Sequence, residues 1–150
     1  MVCRNPRYAE EAQQEIQEVA TQRANVHVHI LDMSDPRAVT KFAKEFQHPL
    51  NVLINNAGCM VNQRTMTEDG LEKNFATNTL GTHILTEQLM PKLQQQTKGK
   101  PRVVIVSSGG MLTNKMDFQD LNLEKTPFDG TMAYAQNKRQ QVFPSFLLLE

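Results

Sequence analysis

Cysteine is scarce in this sequence, which contains only Cys3 and Cys59 in 150 residues. Two cysteines cannot by themselves form a dense disulfide framework or a four-ligand zinc site. They are typical of a reducing environment, where a buried free cysteine packs as a small hydrophobic residue. We therefore expect a protein of the reduced cell interior without a structural metal.

An excess of charge of either sign is also missing, because Lys+Arg and Asp+Glu both number 16. A nucleic-acid-binding surface needs a basic excess to neutralise phosphates, so we expect no nucleic-acid partner. No apolar run reaches the roughly 18 residues of a membrane-spanning helix, and the N-terminus lacks the apolar core of a secretory signal. We expect a cytoplasmic protein without a transmembrane segment, although a signal upstream of Met1 would change that localisation.

Helix and strand patterns alternate along the chain. After the apolar stub at 1–3 the patterns predict a helix over 7–24, a strand over 25–33, a helix from Pro36 capped by Ser34 or Asp35, a strand over 51–55, a helical stretch over 67–95 with a break near Thr82, a strand over 102–107 and a last helix from Ala133. Strands that alternate with helices indicate a parallel sheet with crossover connections. The two later strands are apolar on both faces, which is typical of a sheet covered on both sides.

Tyr134 and Lys138 are four residues apart in the last predicted helix, which places them on one face. A phenol has a pKa near 10, and a neighbouring ammonium favours its ionised form. The Y-x-x-x-K spacing therefore suits a general acid or base. Because the same spacing often arises by chance, an ordinary helix turn is the alternative.

Polar residues follow the carboxyl ends of both apolar strands, where doubly wound folds bind ligands. Ser107 and Ser108 follow the second strand, and a hydroxyl there can hold a substrate oxygen. The first strand is followed by the NNAG motif, which comprises Asn55, Asn56, Ala57 and Gly58. The alternatives are serines that only satisfy backbone groups and an ordinary polar turn.

Asparagine is unusual in the middle of a helix, because its amide competes for backbone hydrogen bonds. Asn74 and Asn78 nevertheless lie four apart in the predicted helix 67–95. This placement indicates a kink or a functional position, and the alternative is an exposed polar face.

Two charged residues follow the early strands. Asp32 could accept a hydrogen bond from a ribose hydroxyl or an adenine amine, or could help to cap the next helix. Arg4 could bind a ribose 2′-phosphate through its planar guanidinium, or could be a solvated surface charge.

Taken in this order, the motifs resemble the short-chain dehydrogenase/reductase family. The resemblance runs from residue 1 to about residue 142 and rests on Asp32, NNAG at 55–58, Asn78, VSS at 106–108, Tyr134 and Lys138. It implies an α/β fold with an incomplete doubly wound, Rossmann-like parallel sheet that lacks its first strand and its C-terminal strands. It also implies a partial domain over 1–142 and a divergent C-terminal tail over 143–150.

The resemblance implies an oxidoreductase that transfers hydride between nicotinamide and a small-molecule carbonyl or alcohol. Tyr134 would exchange the proton, and Lys138 would support it and hold the nicotinamide ribose. Ser108 would position the substrate oxygen, and Asn78 would hold a water that links the lysine to solvent.

The cofactor implied by the resemblance is NADP or NAD. Asp32 would contact adenine, Arg4 would favour NADP over NAD, and Lys138 would contact the ribose. The cofactor side of the sheet would be supported by Asn55, Asn56, Ala57 and Gly58.

The family's glycine-rich turn, T-G-x-x-x-G-x-G, has no match in this sequence. That turn brings backbone amides to the pyrophosphate, so we expect impaired cofactor binding and little or no activity from a chain truncated at both ends. Pro144 and the apolar residues 146–149 lead us to expect that the last helix ends early. The alternative is a non-enzymatic truncated isoform that acts as an interaction module or is unstable. The helices at 67–95 and 131–142 correspond to the family's dimer-forming helices, which suggests a homo-oligomer.

Overall fold

The computed structural model describes residues 1–21, 25–96, 99–125 and 127–147, the last four by their backbone alone. The chain divides into two compact units, Met1–Asp32 and Met33–Glu150. The boundary predicted at residue 142 stays a prediction.

The first unit contains one helix and two short strands. Strand β1 (Val2–Cys3) pairs in parallel with β2 (His29–Ile30), and helix α1 (Pro6–Val19) connects them. Helix α1 begins at a proline, whose missing N–H is not needed in the first turn. The observed β2 is shorter than the strand predicted over 25–33. Its length is limited by its partner β1, which offers only two residues for pairing. The prediction of a helix over 7–24 is wrong at its end, because α1 ends at Val19 and its C-cap Ala20 has extended backbone angles. Residues 22–24 lie outside the described residues.

The second unit begins with helix α2 (Pro36–Glu45). Oδ1 of Asp35 accepts hydrogen bonds from the backbone N–H groups of Arg37 and Ala38, both at 2.9 Å. The predicted cap and the proline at the first helical position are therefore confirmed. Val39 is fully buried on the inner face of this helix.

The sheet of the second unit consists of β3 (Val52–Asn55) and β4 (Arg102–Ile105), paired in parallel. Leu53 is buried on one face. On the other face, Ile54 is 61% exposed and its register partner Val104 is 42% exposed. The expectation that both faces of this sheet are covered is thus wrong for the described residues.

The strand pairs define the fold class. In the doubly wound strand order 3-2-1-4-5-6, the second strand pairs with the third and the fourth with the fifth. The observed pairs β1–β2 and β3–β4 are those expected when the first strand is absent. The prediction of an α/β fold with an incomplete Rossmann-like parallel sheet is confirmed.

The long helical stretch begins later than predicted. The segment Thr67–Leu71 turns sharply, with Gly70 at φ +72°, and the Leu71 N–H donates to Oγ1 of Thr67 at 3.2 Å. A π-helical segment (Phe75–Gly81) then leads into α3 (Thr82–Gln94). The helix geometry therefore changes next to Thr82, where the sequence predicts a break.

Helix α4 (Gly130–Leu147) is longer than predicted at both ends. It begins before Ala133 because Oδ1 of Asp129 caps it, accepting from the N–H groups of Thr131 at 2.8 Å and Met132 at 3.1 Å. The expectation that Pro144 ends the helix is wrong, because α4 continues through that residue. A proline removes one hydrogen bond of the helix, and the turn before it is anchored by the buried side chains of Gln140 and Gln141. The side chains predicted to form an apolar tail at 146–149 lie outside the described set.

Candidate active site

The segment that follows β4 contacts both the side chain and the backbone of Lys138. Its side chain is only 2% exposed, and its Nζ donates a hydrogen bond to the Val106 carbonyl at 2.9 Å. Its own backbone carbonyl accepts from Oγ of Ser107 at 3.0 Å. The ammonium is therefore fixed at the carboxyl end of the sheet.

Tyr134 lies next to this ammonium on the same face of α4, as the spacing predicts. Nζ of Lys138 is 5.5 Å from the centre of the Tyr134 ring, a distance at which the ring quadrupole attracts a cation. Burial lowers the pKa of Lys138 from its ordinary value, and the nearby Cys59 opposes this shift. The ammonium and the phenol ring therefore lie side by side, one turn apart on α4.

Gly58 brings the NNAG motif against the lysine. A Cβ atom added to Gly58 would lie 3.1 Å from Oδ1 of Asn78 and 3.5 Å from Nζ of Lys138. Asn56 and Ala57 are exposed, as is Gly58. The turn after β3 thus presents open backbone beside the ammonium.

The side chain of Asn55 does not face the open turn beside Lys138 but makes a hydrogen bond within the protein. Its side chain is buried, and its Nδ2 donates to Oγ1 of Thr86 on α3 at 2.8 Å. Asn55 therefore fastens the end of β3 to the helix behind it, which supports the turn that carries Gly58.

The side-chain amide of Asn78 pairs with the backbone of Cys59. Its Oδ1 accepts from the Cys59 N–H and its Nδ2 donates to the Cys59 carbonyl, both at 2.8 Å. Asn78 is fully buried within the π-helical segment. A water held by Asn78 would therefore need its backbone carbonyl or the remaining lone pair of Oδ1, and that role stays a prediction.

The two serines after β4 have different contacts. Ser107 bonds to α4, as described above, and its Oγ is also 3.1 Å from the Met111 sulfur. Ser108 begins the 3₁₀ helix Gly109–Leu112, where its Oγ accepts from the Gly110 N–H at 3.3 Å. Because the Ser108 hydroxyl is the acceptor in that bond, its proton is not used there and its role toward a substrate stays a prediction.

Arg4 and Asp32 belong to the first unit. Arg4 is exposed directly after β1, and Asp32 is half-buried two residues after β2. Each therefore follows the carboxyl end of a parallel strand, as predicted, and their roles toward a cofactor stay predictions.

Sequence reasoning missed a polar seam between α4 and the π-helical segment. Oε1 of Gln140 accepts from Oγ1 of Thr79 at 2.9 Å and from Nδ2 of Asn137 at 3.2 Å. The signal was available, because Asn137, Gln140 and Gln141 recur at the spacing of a buried helix face. This seam fixes α4 laterally against the helix that carries Asn78.

Arg139 was also overlooked. Its Nη1 donates to the carbonyl groups of Asn114 at 2.7 Å and Met111 at 3.3 Å. These carbonyls follow Ser108, so the guanidinium ties the serine-bearing segment to the helix of Tyr134.

The described part of the chain contains no cluster of histidine, cysteine and acidic side chains suited to a metal ion. None of its helices is long and apolar enough to cross a membrane.

Comparison with known proteins identifies the family. The sequence model of the family described as short chain dehydrogenase matches residues 1–118. The chain therefore belongs to the short-chain dehydrogenase/reductase family of oxidoreductases. It is 58% identical over 145 residues to human Dehydrogenase/reductase SDR family member 12, covering 95% of this chain and 44% of that relative.

Solved structures show the same fold. A crystal structure of an uncharacterized protein from Mycobacterium paratuberculosis superposes with a TM-score of 0.77 at 33% identity, covering 98% of this chain and 50% of that one. The 3-oxoacyl (acyl-carrier-protein) reductase of Agrobacterium tumefaciens, solved with NADP bound, superposes with a TM-score of 0.67 at 23% identity. That match covers 93% of this chain and 49% of the reductase. The chain thus spans about half the length of the proteins it matches.

Proposed function

We propose that this chain carries the acid–base part of an NAD(P)-dependent oxidoreductase that acts on a small-molecule carbonyl or alcohol. The observation that carries the proposal is the position of Lys138. Its buried ammonium lies beside the Tyr134 ring, and it also lies against Gly58 at the carboxyl end of the sheet. A buried cation without a local role would be costly, so its retention at this place favours function.

The residues beside Lys138 fit a nicotinamide cofactor. A side chain at position 58 would fill the space between Asn78 and Lys138, so glycine there leaves room for a ligand to approach the backbone. Lys138 would hold the ribose, with the backbone of 56–58 beside it. In the first unit, Asp32 would contact adenine, and Arg4 would favour NADP. When bound, the cofactor supplies or accepts the hydride.

The chain's own residues would handle the proton and the substrate oxygen. Tyr134 would donate a proton to a carbonyl oxygen, or remove one from an alcohol. Lys138 would stabilise the ionised phenol through its charge. The free hydroxyl proton of Ser108 would hold the same oxygen, so that one substrate atom faces both hydroxyl groups.

We also propose that the 150-residue form binds the cofactor weakly and has little or no activity. None of its glycines forms the T-G-x-x-x-G-x-G turn that would bring amides to the pyrophosphate. Contacts to the nicotinamide ribose alone would leave two phosphate charges without a partner.

A thermal melt with increasing NADPH tests this proposal, because a ligand that binds the folded state raises the melting temperature. We expect a small rise that appears only at high concentration and is lost in Lys138→Met. Lys92→Met, on α3, is the matched control and should keep the rise. No rise at any concentration would contradict the cofactor site. Saturable NADPH oxidation that disappears in Tyr134→Phe would contradict the expected inactivity.

A second candidate is a non-enzymatic interaction module. The observation in its favour is the apolar pair Ile54 and Val104, which are register partners on the exposed face of the β3–β4 sheet. Exposed apolar faces favour association. Size-exclusion chromatography with light scattering would detect oligomers, and Ile54→Asp should reduce them if this face is responsible.

A further inference from the structure

Two asparagines four residues apart hold alternate residues of the loop that follows β3. Asn78 pairs with both backbone groups of Cys59, as described above. Asn74 does the same for Val61: its Oδ1 accepts from the Val61 N–H at 2.7 Å, and its Nδ2 donates to the Val61 carbonyl at 3.0 Å. We call these four residues the amide ladder.

The amide ladder connects a run of helical backbone to the loop after β3. Asn74 immediately precedes the π-helical segment Phe75–Gly81 and Asn78 lies within it, so the two side chains are four residues apart on one run of helical backbone. They pair with Val61 and Cys59, which are two residues apart in the loop after β3. Each side chain replaces the hydrogen bonds that a neighbouring strand would provide.

Asn74 is itself held in place by the carboxylate of Glu72. It is fully buried, and Oε1 of the buried Glu72 accepts from its backbone N–H at 3.0 Å and from its Nδ2 at 3.1 Å. The other carboxylate oxygen accepts from the Phe75 N–H at 2.9 Å. The side chain of Asn74 thus has a single orientation, which points its amide at Val61.

The segment held by the ladder contacts α4 at two places. A Cβ added to Gly130, the first residue of α4, would lie 2.4 Å from the Val61 carbonyl oxygen and 2.6 Å from Cα of Asn62. Eight residues further along, Nζ of Lys138 lies against Gly58. Eight residues of α-helix rise about 12 Å, so the two contacts are more than two helical turns apart along α4. Tyr134 lies midway between the two contacts.

We propose that Asn74 is a positioning residue for Tyr134 and Lys138, acting through Val61 and Gly130. By holding both backbone groups of Val61, Asn74 sets where α4 can begin, and therefore how far along the helix axis the two reactive side chains lie relative to Gly58. The catalytic value of that placement rests on the proposed function. The effect of Asn74 on the position of α4 is independent of that function.

Tyr134 provides a direct spectroscopic readout. The sequence has 2 tyrosines and no tryptophan, and Tyr8 is exposed on α1. In a Tyr8→Phe background, the tyrosine band of the near-ultraviolet circular dichroism spectrum therefore reports on Tyr134 alone. We expect Asn74→Ala and Gly130→Ala each to change this band by half or more while the far-ultraviolet spectrum keeps its helical shape. Gly109→Ala, whose added Cβ would have no heavy atom within 4 Å, should leave it unchanged.

A double-mutant cycle tests whether the two residues act through the same contact. Because both act on Val61, Asn74→Ala and Gly130→Ala together should lower the urea midpoint by less than the sum of the single losses. Asn74→Ala combined with Gly109→Ala should be additive. Additivity in the first pair would overturn the proposal, as would a folded Asn74→Ala protein with an unchanged Tyr134 band.

The test remains decisive if Asn74→Ala does not fold, because Gly130→Ala approaches Val61 from the other side. A folded Gly130→Ala protein with the parent's Tyr134 band would also overturn the proposal. Neither readout uses cofactor or substrate, so a failure of the proposed oxidoreductase function would be visible separately, in the NADPH melts.

Discussion

The ammonium of Lys138 lies 5.5 Å from the centre of the Tyr134 ring, one turn away on the same face of α4. The lysine cannot move far from this position, because the Val106 carbonyl accepts from its Nζ and Ser107 donates to its backbone carbonyl. The position of the pair is therefore fixed by the end of β4. This fixed position supports the proposed acid–base role, because preorganised groups act without a rearrangement.

Replacing Lys138 by methionine should change how stability depends on pH. Burial lowers the pKa of Lys138 below its ordinary value of 10.5. Between the lowered pKa and 10.5, the unfolded chain binds more protons than the folded chain, so the free energy of unfolding rises with pH through this window. Lys138→Met has no proton to lose and should lack that rise.

Melting temperatures of both proteins, measured at intervals from about pH 8 to about pH 10, would check this expectation. Lys41→Met is the control, because the side chain of Lys41 is 75% exposed on α2. The plot of melting temperature against pH for Lys41→Met should run parallel to that of the parent protein. If the Lys138→Met curve is parallel as well, the lysine does not titrate differently in the folded state.

Local chemistry made part of this arrangement predictable from the sequence. The start of α2 follows from Asp35 and Pro36, because a cap and its proline act within one turn. The shared face of Tyr134 and Lys138 follows from the helical period alone. Both inferences needed only neighbours in sequence.

Long-range contacts decided the features that sequence reasoning missed. The partner of the Asn78 amide is Cys59, 19 residues earlier, and the carbonyl that binds Lys138 belongs to Val106, 32 residues earlier. The length of β2 depends on the short β1, and the passage of α4 through Pro144 depends on the packing of the turns before it. Periodicity and propensity do not contain such pairings.

The two serines after β4 should differ in their contribution to stability. Ser107→Ala removes a hydrogen bond to the Lys138 carbonyl and should lower the free energy of unfolding by about 1 kcal/mol. Ser108→Ala removes only a longer bond from Gly110 and should cost about half of that. Urea unfolding of both variants gives the comparison. Equal losses would mean that Ser107 does not fasten α4.

Gly81 should tolerate no side chain. A Cβ there would lie 2.1 Å from the Met33 carbonyl oxygen, which belongs to the backbone and cannot rotate away. We expect Gly81→Ala to lower the free energy of unfolding by about 3 kcal/mol, the upper range for overpacking. Gly109→Ala is the control, since its added Cβ would meet open space. Similar urea midpoints for the two variants would show that the chain relaxes around position 81 at little cost.

Asp129 should stabilise the start of the helix that carries Tyr134. Its Oδ1 accepts from the N–H groups of Thr131 and Met132, which have no partner within the helix. Asp129→Ala should therefore lower the free energy of unfolding by about 1 kcal/mol. Asp129→Asn keeps an oxygen in the same place and should recover most of this loss, apart from a few tenths of a kcal/mol for the lost charge at the helix N-terminus. Urea unfolding of the two variants separates these contributions, and equal losses would show that charge, and not the cap, accounts for the role of Asp129.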